Sequence, residues 1–134
     1  MSVGPIERAF REAFTPPESL GTVVKEQPFT LHSFGESGLV LLVGPQTAYT
    51  ELKWQWLEGV PGFLAGRSWV VVSATRNSEA AFGTFDDYFR KWVKRSVGSQ
   101  VATLLEKSSV VEVERGARAR LRLRTDWGTR QLLS

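Results

Sequence analysis

Cysteine is absent from the chain, which excludes disulfide scaffolds, thiolate zinc sites and cysteine nucleophiles and fits a reducing compartment. Histidine occurs once, as His32, on a strand pattern with no recognisable partner motif, so a Ser-His-Asp triad is not expected. No apolar run approaches the roughly 18 residues of a membrane span. The N-terminus lacks the charged-then-apolar layout of a signal peptide, and a cytoplasmic location with no membrane partner is expected. No Walker-type glycine loop is present. Asp86-Asp87 suits a helix N-terminus better than a metal pair, because adjacent helical residues point about 100° apart. Glu112-Val113-Glu114 loosely resembles the acidic strand of metal-dependent nucleases, but no lysine follows at the required place. The expectation is therefore a non-enzymatic protein with no catalytic constellation, no metal site and no cofactor.

What remains is ample for one folded unit. The chain has 134 residues, 42% of them hydrophobic, enough to bury a real core. Its formal net charge of +3 is unevenly spread. Residues 1–66 hold four Lys or Arg against seven Asp or Glu, and residues 67–134 hold thirteen against seven, so the halves carry −3 and +6. A polyanionic partner would meet the C-terminal half.

Along the chain, Ile6, Ala9, Phe10, Ala13 and Phe14 have the spacing of one helical face, starting at Gly4-Pro5. Thr15-Pro16-Pro17-Glu18 ends that helix, and its Thr-x-x-Glu spacing can open another turn. Phe29 to Phe34 and Leu39 to Val43 flank Gly35-Glu36-Ser37-Gly38 as a hairpin, whose all-apolar return strand predicts cover on both faces. Thr50 is positioned to cap a helix from Glu51 to about Ala65, kinked or broken at Gly59 and Pro61. Ser68 to Ala74 reads as a strand. Thr84 caps a helix with Phe85, Tyr88, Phe89, Trp92, Val93 and Ser96 on its buried face. A short turn then leads to a helix from Val97 to about Ser108.

The most informative stretch is VVEVERGARARLRLR, Val110 to Arg124. Period-two alternation on both sides of Gly116 predicts a half-buried hairpin. With Glu114-Arg115-Gly116 as a three-residue loop, Val113 faces Ala117, Glu112 faces Arg118 and Val111 faces Ala119. One face is then apolar. The other carries Arg118, Arg120, Arg122 and Arg124, with Glu112 as the only strand carboxylate opposite them. Such a ladder can bind phosphates or be the solvated side of an ordinary hairpin.

From Thr50 to Arg124 the order of elements is helix, strand, helix, short turn, helix, strand, loop, strand, and it resembles the winged helix-turn-helix fold. The resemblance implies an α+β architecture: a winged-helix-like domain over 49–134 and an N-terminal helix and β-hairpin extension over 1–48. It further implies that Val97 to Ser108 is a recognition helix, that Arg115 and Gly116 form the wing tip, and that Ser68 to Ala74 pairs with Ala119 to Leu123. Duplex DNA is then the expected partner. Gln100, Thr103 and Lys107 would read bases, while Lys94, Arg95, Arg115, Arg118, Arg120, Arg122 and Arg124 would meet backbone phosphate. Lys94, Ser99 and Glu106 depart from the usual pattern of the motif. The alternative is a protein-interaction module that uses the fold as scaffold, with a protein partner or a homodimer held through the N-terminal region or a surface around Trp54 and Phe82. Core packing is expected for Trp54, Trp56, Trp69 and Trp92, with a partner surface as the other reading for Trp54.

Overall fold

Ile6, Ala9 and Phe10 are buried along one side of α1 (Pro5–Ala13), as their spacing requires. The helix ends at Phe14, which is itself buried. In the computed structural model the residues described are 3–23, 25–44, 48–72, 84–93, 97–116 and 118–127. After α1 the Thr15 backbone N–H donates to Glu18 Oε2 at 3.0 Å, which is half of the predicted capping box. The chain then enters not a helical turn but a strand, β1 (Glu18–Gly21).

The predicted first hairpin is present as β2 (Pro28–Phe34) and β3 (Gly38–Val43). It belongs to a four-stranded antiparallel meander ordered β1-β2-β3-β4, completed by β4 (Ala48–Lys53). An irregularity in register between Leu31 and Ser33 marks a bulge in β2. Leu39, Leu41 and Val43 of β3 are buried, whereas Val40 and Leu42 on the other face are only half-buried. The apolar run is thus explained by a central position between β2 and β4, and full cover on both faces is not what the strand receives.

Residues 50–53 are strand, not the start of a helix. Tyr49, Glu51 and Lys53 are exposed and alternate with buried Thr50 and Leu52, a period of two. Helix begins only at α2 (Trp54–Glu58) and resumes as α3 (Val60–Leu64), so the break expected at Gly59 and Pro61 is present. Thr50, expected as a cap, is a buried strand residue whose Oγ1 has no hydrogen-bond partner among the described residues. Replacing that hydroxyl with a methyl removes an uncompensated desolvation cost. Thr50→Val is therefore expected to stabilise the fold by about 1 kcal/mol, read from urea unfolding midpoints at unchanged slope.

The second sheet is small and antiparallel, ordered β5-β7-β6, from β5 (Val70–Val71), β6 (Val111–Glu114) and β7 (Arg120–Leu123). β5 pairs with β7 as expected, and the Val72 N–H donates to Ala119 O at 2.8 Å. Residues 73 and 74 of the expected strand lie outside the described residues. Between β5 and β6 come α4 (Phe85–Phe89) and α5 (Gly98–Lys107). Thr84 caps α4 as predicted, its Oγ1 accepting from the Asp87 N–H at 3.1 Å.

These elements do not make a winged helix. The order is α1-β1-β2-β3-β4-α2-α3-β5-α4-α5-β6-β7, an interleaved α+β arrangement with sheets of four and three strands. Three findings overturn the resemblance. The first three residues of the supposed domain's first helix, 51–53, are strand, and that strand, β4, completes the N-terminal sheet. The helix from Phe85 is short, ending in a cap at Arg90. Most decisively, α5 is the central helix of the core and not a surface helix. It packs against α1, α4, β1 and β6 with Val101, Ala102, Thr103, Leu104 and Leu105 all buried. A recognition helix keeps one long face clear for the groove; α5 does not.

Two devices lock this helix and its neighbour in place. The Gly98 N–H at the start of α5 donates to Asp86 Oδ1 at 3.0 Å, which places a carboxylate at the positive end of the helix dipole. At the start of α1, both oxygens of Glu58 accept backbone N–H groups, from Ile6 at 3.0 Å and Glu7 at 2.9 Å. Buried residues of α1, both sheets and α5 belong to one hydrophobic cluster.

Candidate nucleic-acid interface

The Val110 to Arg124 hairpin forms with its parity as expected and its register displaced. Val111 faces Leu123, Glu112 faces Arg122, Val113 faces Leu121 and Glu114 faces Arg120. The connection therefore runs from Arg115 to Ala119, two residues longer than the predicted three-residue loop. Its length is set by distant chain. The Gly116 N–H donates to Val23 O at 3.2 Å, and Ala119 O is taken by Val72. Because the displacement is even, the apolar residues stay on one face and the arginines on the other.

The new register changes the charge balance. Both strand glutamates face arginine, not Glu112 alone. Arg120 Nε donates to Glu114 Oε1 at 2.6 Å and Arg122 Nε to Glu112 Oε2 at 2.6 Å. Arg124 pairs with Asp126 at 3.0 Å, and Arg115 with Glu106 of α5. The hydrogen bond from Arg120, together with the positive charge of Arg120 and Arg122, holds the Glu114 carboxyl below the usual carboxylate range. Arg120 and Arg124 are in turn raised by their hydrogen bonds to Glu114 and Asp126. Arg118 sits in the connecting loop, exposed, with no carboxylate paired to it among the described residues. The two strand arginines also share the half-buried Trp69, their guanidinium carbons lying 4.9 Å (Arg120) and 4.4 Å (Arg122) from the ring centroid. This indole props both guanidiniums on one side of the sheet. The sequence pattern assigned Trp69 to the core; its place on the arginine face follows from β5 lying beside β7.

The other predicted contacts divide. Lys107 is exposed at the C-terminal end of α5, and Gln100 is half-buried beside Ser99, whose Oγ lies 3.4 Å from its side-chain oxygen. Thr103 is fully buried, and its hydroxyl donates to Gly21 O at 2.9 Å and Ser99 O at 3.1 Å. It ties α5 to β1 and does not face outward. Lys94 and Arg95 lie outside the described residues, as does Phe82. Trp54, for which a core place and a partner surface were both open, is a core residue whose indole N–H donates to Gly35 O at 2.9 Å. His32 has hydroxyls at both ring nitrogens, Ser33 Oγ at 3.1 Å and Tyr49 at 3.3 Å. Among the described residues no three His, Asp or Glu side chains cluster to hold a metal ion, and no helix is long and apolar enough to cross a membrane.

A second surface feature joins α2, α3 and α4. Trp56 and Trp92 stack face to face, with centroids 5.1 Å apart and planes 9° apart. Tyr88 meets Trp92 edge-on at 5.3 Å and lies tilted by 47° against Phe63 at 5.0 Å. Trp92, expected on a buried face, is 40% exposed. Burial raises the Tyr88 phenol, and its O–H donates to Trp56 O at 2.8 Å, which fixes the ring. Lys91 Nζ lies 4.6 Å from the Tyr88 and Trp92 ring centroids alike. Arg67 sits over Phe63 at 4.6 Å, and Lys53 lies 5.9 Å from the Trp56 centroid. Beside the Phe63 and Tyr88 rings is an open cleft of 550 Å³, lined by Gly59, Phe63, Asp87, Tyr88, Arg90 and Lys91, with Trp92 at its border against Tyr88 and Lys91. The aromatic spacing Phe85, Tyr88, Phe89, Trp92 was readable as a helical face; that its far end emerges at the surface depends on the early end of α4.

In comparisons with known proteins, the chain matches no family model, no curated protein and no solved structure.

Proposed function

We propose that this chain is a non-enzymatic nucleic-acid-binding protein whose phosphate-contacting surface is the arginine face of the β6–β7 hairpin. One observation carries the reading: the hairpin arginines are preset by partners that give them up cheaply. The paired carboxylates are exposed, Glu114 by 51%, Glu112 by 43% and Asp126 by 48%. Exposed ion pairs are weak because solvent screens them, so a phosphate can take over a guanidinium at little cost. Arginine supplies a planar fork that matches two phosphate oxygens. The excess positive charge of residues 67–134 adds long-range attraction. With Thr103 buried and α5 in the core, base-edge readout by that helix is not part of the proposal. Contact through phosphates alone implies weak dependence on sequence.

The test is a salt titration of duplex binding. Affinity should fall steeply with salt, and Arg118→Ala, Arg120→Ala and Arg122→Ala combined should reduce the log–log slope by up to roughly 2.7, about 0.9 for each phosphate that is no longer neutralised. Duplexes of different sequence should lose affinity alike. A triple variant that binds random duplex as tightly as the parent, at every salt concentration, would overturn the proposal.

A further inference from the structure

We infer that the cleft between α2, α3 and α4 is a seat for an unpaired base of single-stranded nucleic acid, with Lys91 and Arg67 placed for the flanking phosphates. The inference rests on the nucleic-acid reading above and deepens it, because it comes from a different surface and names strandedness. Three observations support it. The first is ring geometry. Phe63 and Tyr88 line the cleft, and Trp92, 40% exposed and stacked on Trp56, meets Tyr88 edge-on at its border, so the aromatic platform is assembled before any ligand arrives. Tyr88 is held by its own hydrogen bond to Trp56 O. Preset aromatic faces of this kind suit bases, all of which offer a π face whatever their sequence.

The second observation is charge. Lys53, Arg67, Arg90 and Lys91 are all exposed around the rings. Arg90 lies 3.6 Å from Asp86, and Asp87 is the carboxylate in the cleft lining. Lys91 rests on two rings, and a base arriving there can displace its ammonium toward the backbone phosphate, exchanging two cation–π contacts for an ion pair. The third is size. The cleft volume of 550 Å³ lies in the range of small-molecule sites, roughly 300–1,000 Å³. A base with its sugar fits, and the open mouth lets the strand continue in both directions. A duplex would have to unstack to reach the same rings.

The experiment compares a labelled oligodeoxythymidine strand with a random-sequence duplex, by fluorescence anisotropy at low salt, for the full chain and its variants. Trp92→Ala and Lys91→Glu are each expected to weaken single-strand binding roughly ten-fold, the usual scale for removal of one stacked base, and to weaken duplex binding far less, Lys91→Glu only through its change in net charge. Lys91 is exposed, so its variant guards against loss of fold in Trp92→Ala, and far-UV circular dichroism checks both. Parent-like single-strand binding in Lys91→Glu and in folded Trp92→Ala overturns the base seat and leaves the hairpin reading intact. Equal weakening on strand and duplex overturns it as well. Failure of the parent to bind either form overturns both.

Discussion

Gly38→Ala is expected to destabilise the fold by about 3 kcal/mol, at the upper end of the range for overpacking. Gly38 opens β3 opposite Lys53 and is buried. A Cβ there would lie 2.9 Å from both the Leu52 carbonyl carbon and Lys53 Cα, and closer still to Leu52 O. All three are backbone atoms, so no rotamer change relieves the contact, and β4 would have to move away from β3. The consequence reaches further than one strand pair, because Lys53 leads directly into α2, which carries Trp54 and Trp56. Thermal melting should fall by roughly 10 °C for a chain of this size. Gly62→Ala in α3 is the matched control, since its Cβ meets nothing within 4 Å. It should be neutral or stabilise by up to about 1 kcal/mol through lower unfolded-state entropy and better helix propensity. Equal melting temperatures for the two variants would show that β3 and β4 are not packed as described.

Glu58→Ala carries the second large effect, a loss of about 2 kcal/mol. The Glu58 carboxylate accepts two N–H groups at the start of α1, and hydrogen bonds to a charged group contribute about 1.5–3 kcal/mol. Pro5 and Gly4 supply no side-chain acceptor there, so deletion leaves donors at a helix terminus unserved. The same carboxylate accounts for Gly4, where a Cβ would fall 2.9 Å from Glu58 Oε1 and closer to the rest of the group. Gly4→Ala should therefore push the carboxylate off its donors. The double variant should cost little more than Glu58→Ala alone, giving a coupling energy of about 1 kcal/mol in a double-mutant cycle. Additive losses would show that Gly4 and Glu58 act independently. Glu36→Ala, at an exposed turn residue, should stay within about 0.5 kcal/mol.

Where local pattern and final structure agree, the reason is short range. Ile6, Ala9 and Phe10 make α1 amphipathic, Thr84 caps α4 through a bond three residues away, and Gly59 with Pro61 interrupts α2 and α3. Alternation on either side of Gly116 puts arginines on one face of a hairpin. Where they disagree, a distant partner decides. The segment from Ala48 to Lys53 ends next to Trp54, Trp56 and Leu57, whose helical spacing reads backward across it. It becomes strand because β3 has an open edge whose backbone groups need partners. The length of the β6–β7 connection is fixed by Gly116 bonding to Val23, more than ninety residues earlier.

The candidate sites divide in the same way. That the basic residues collect in the C-terminal half and alternate through Arg118, Arg120, Arg122 and Arg124 is a property of the sequence alone. It determined α1, the two hairpins and an arginine-bearing face, because each depends on side-chain periodicity within a few residues. Only the tertiary structure decided that α5 is the core helix, that Thr103 bonds inward to Gly21, and that Trp69 lies beneath Arg120 and Arg122. It also decided that Glu112 and Glu114 both take an arginine and that Trp56 and Trp92 meet. Each of these needs two segments brought together by burial of a shared apolar surface. That burial is non-directional and leaves no mark on either segment by itself.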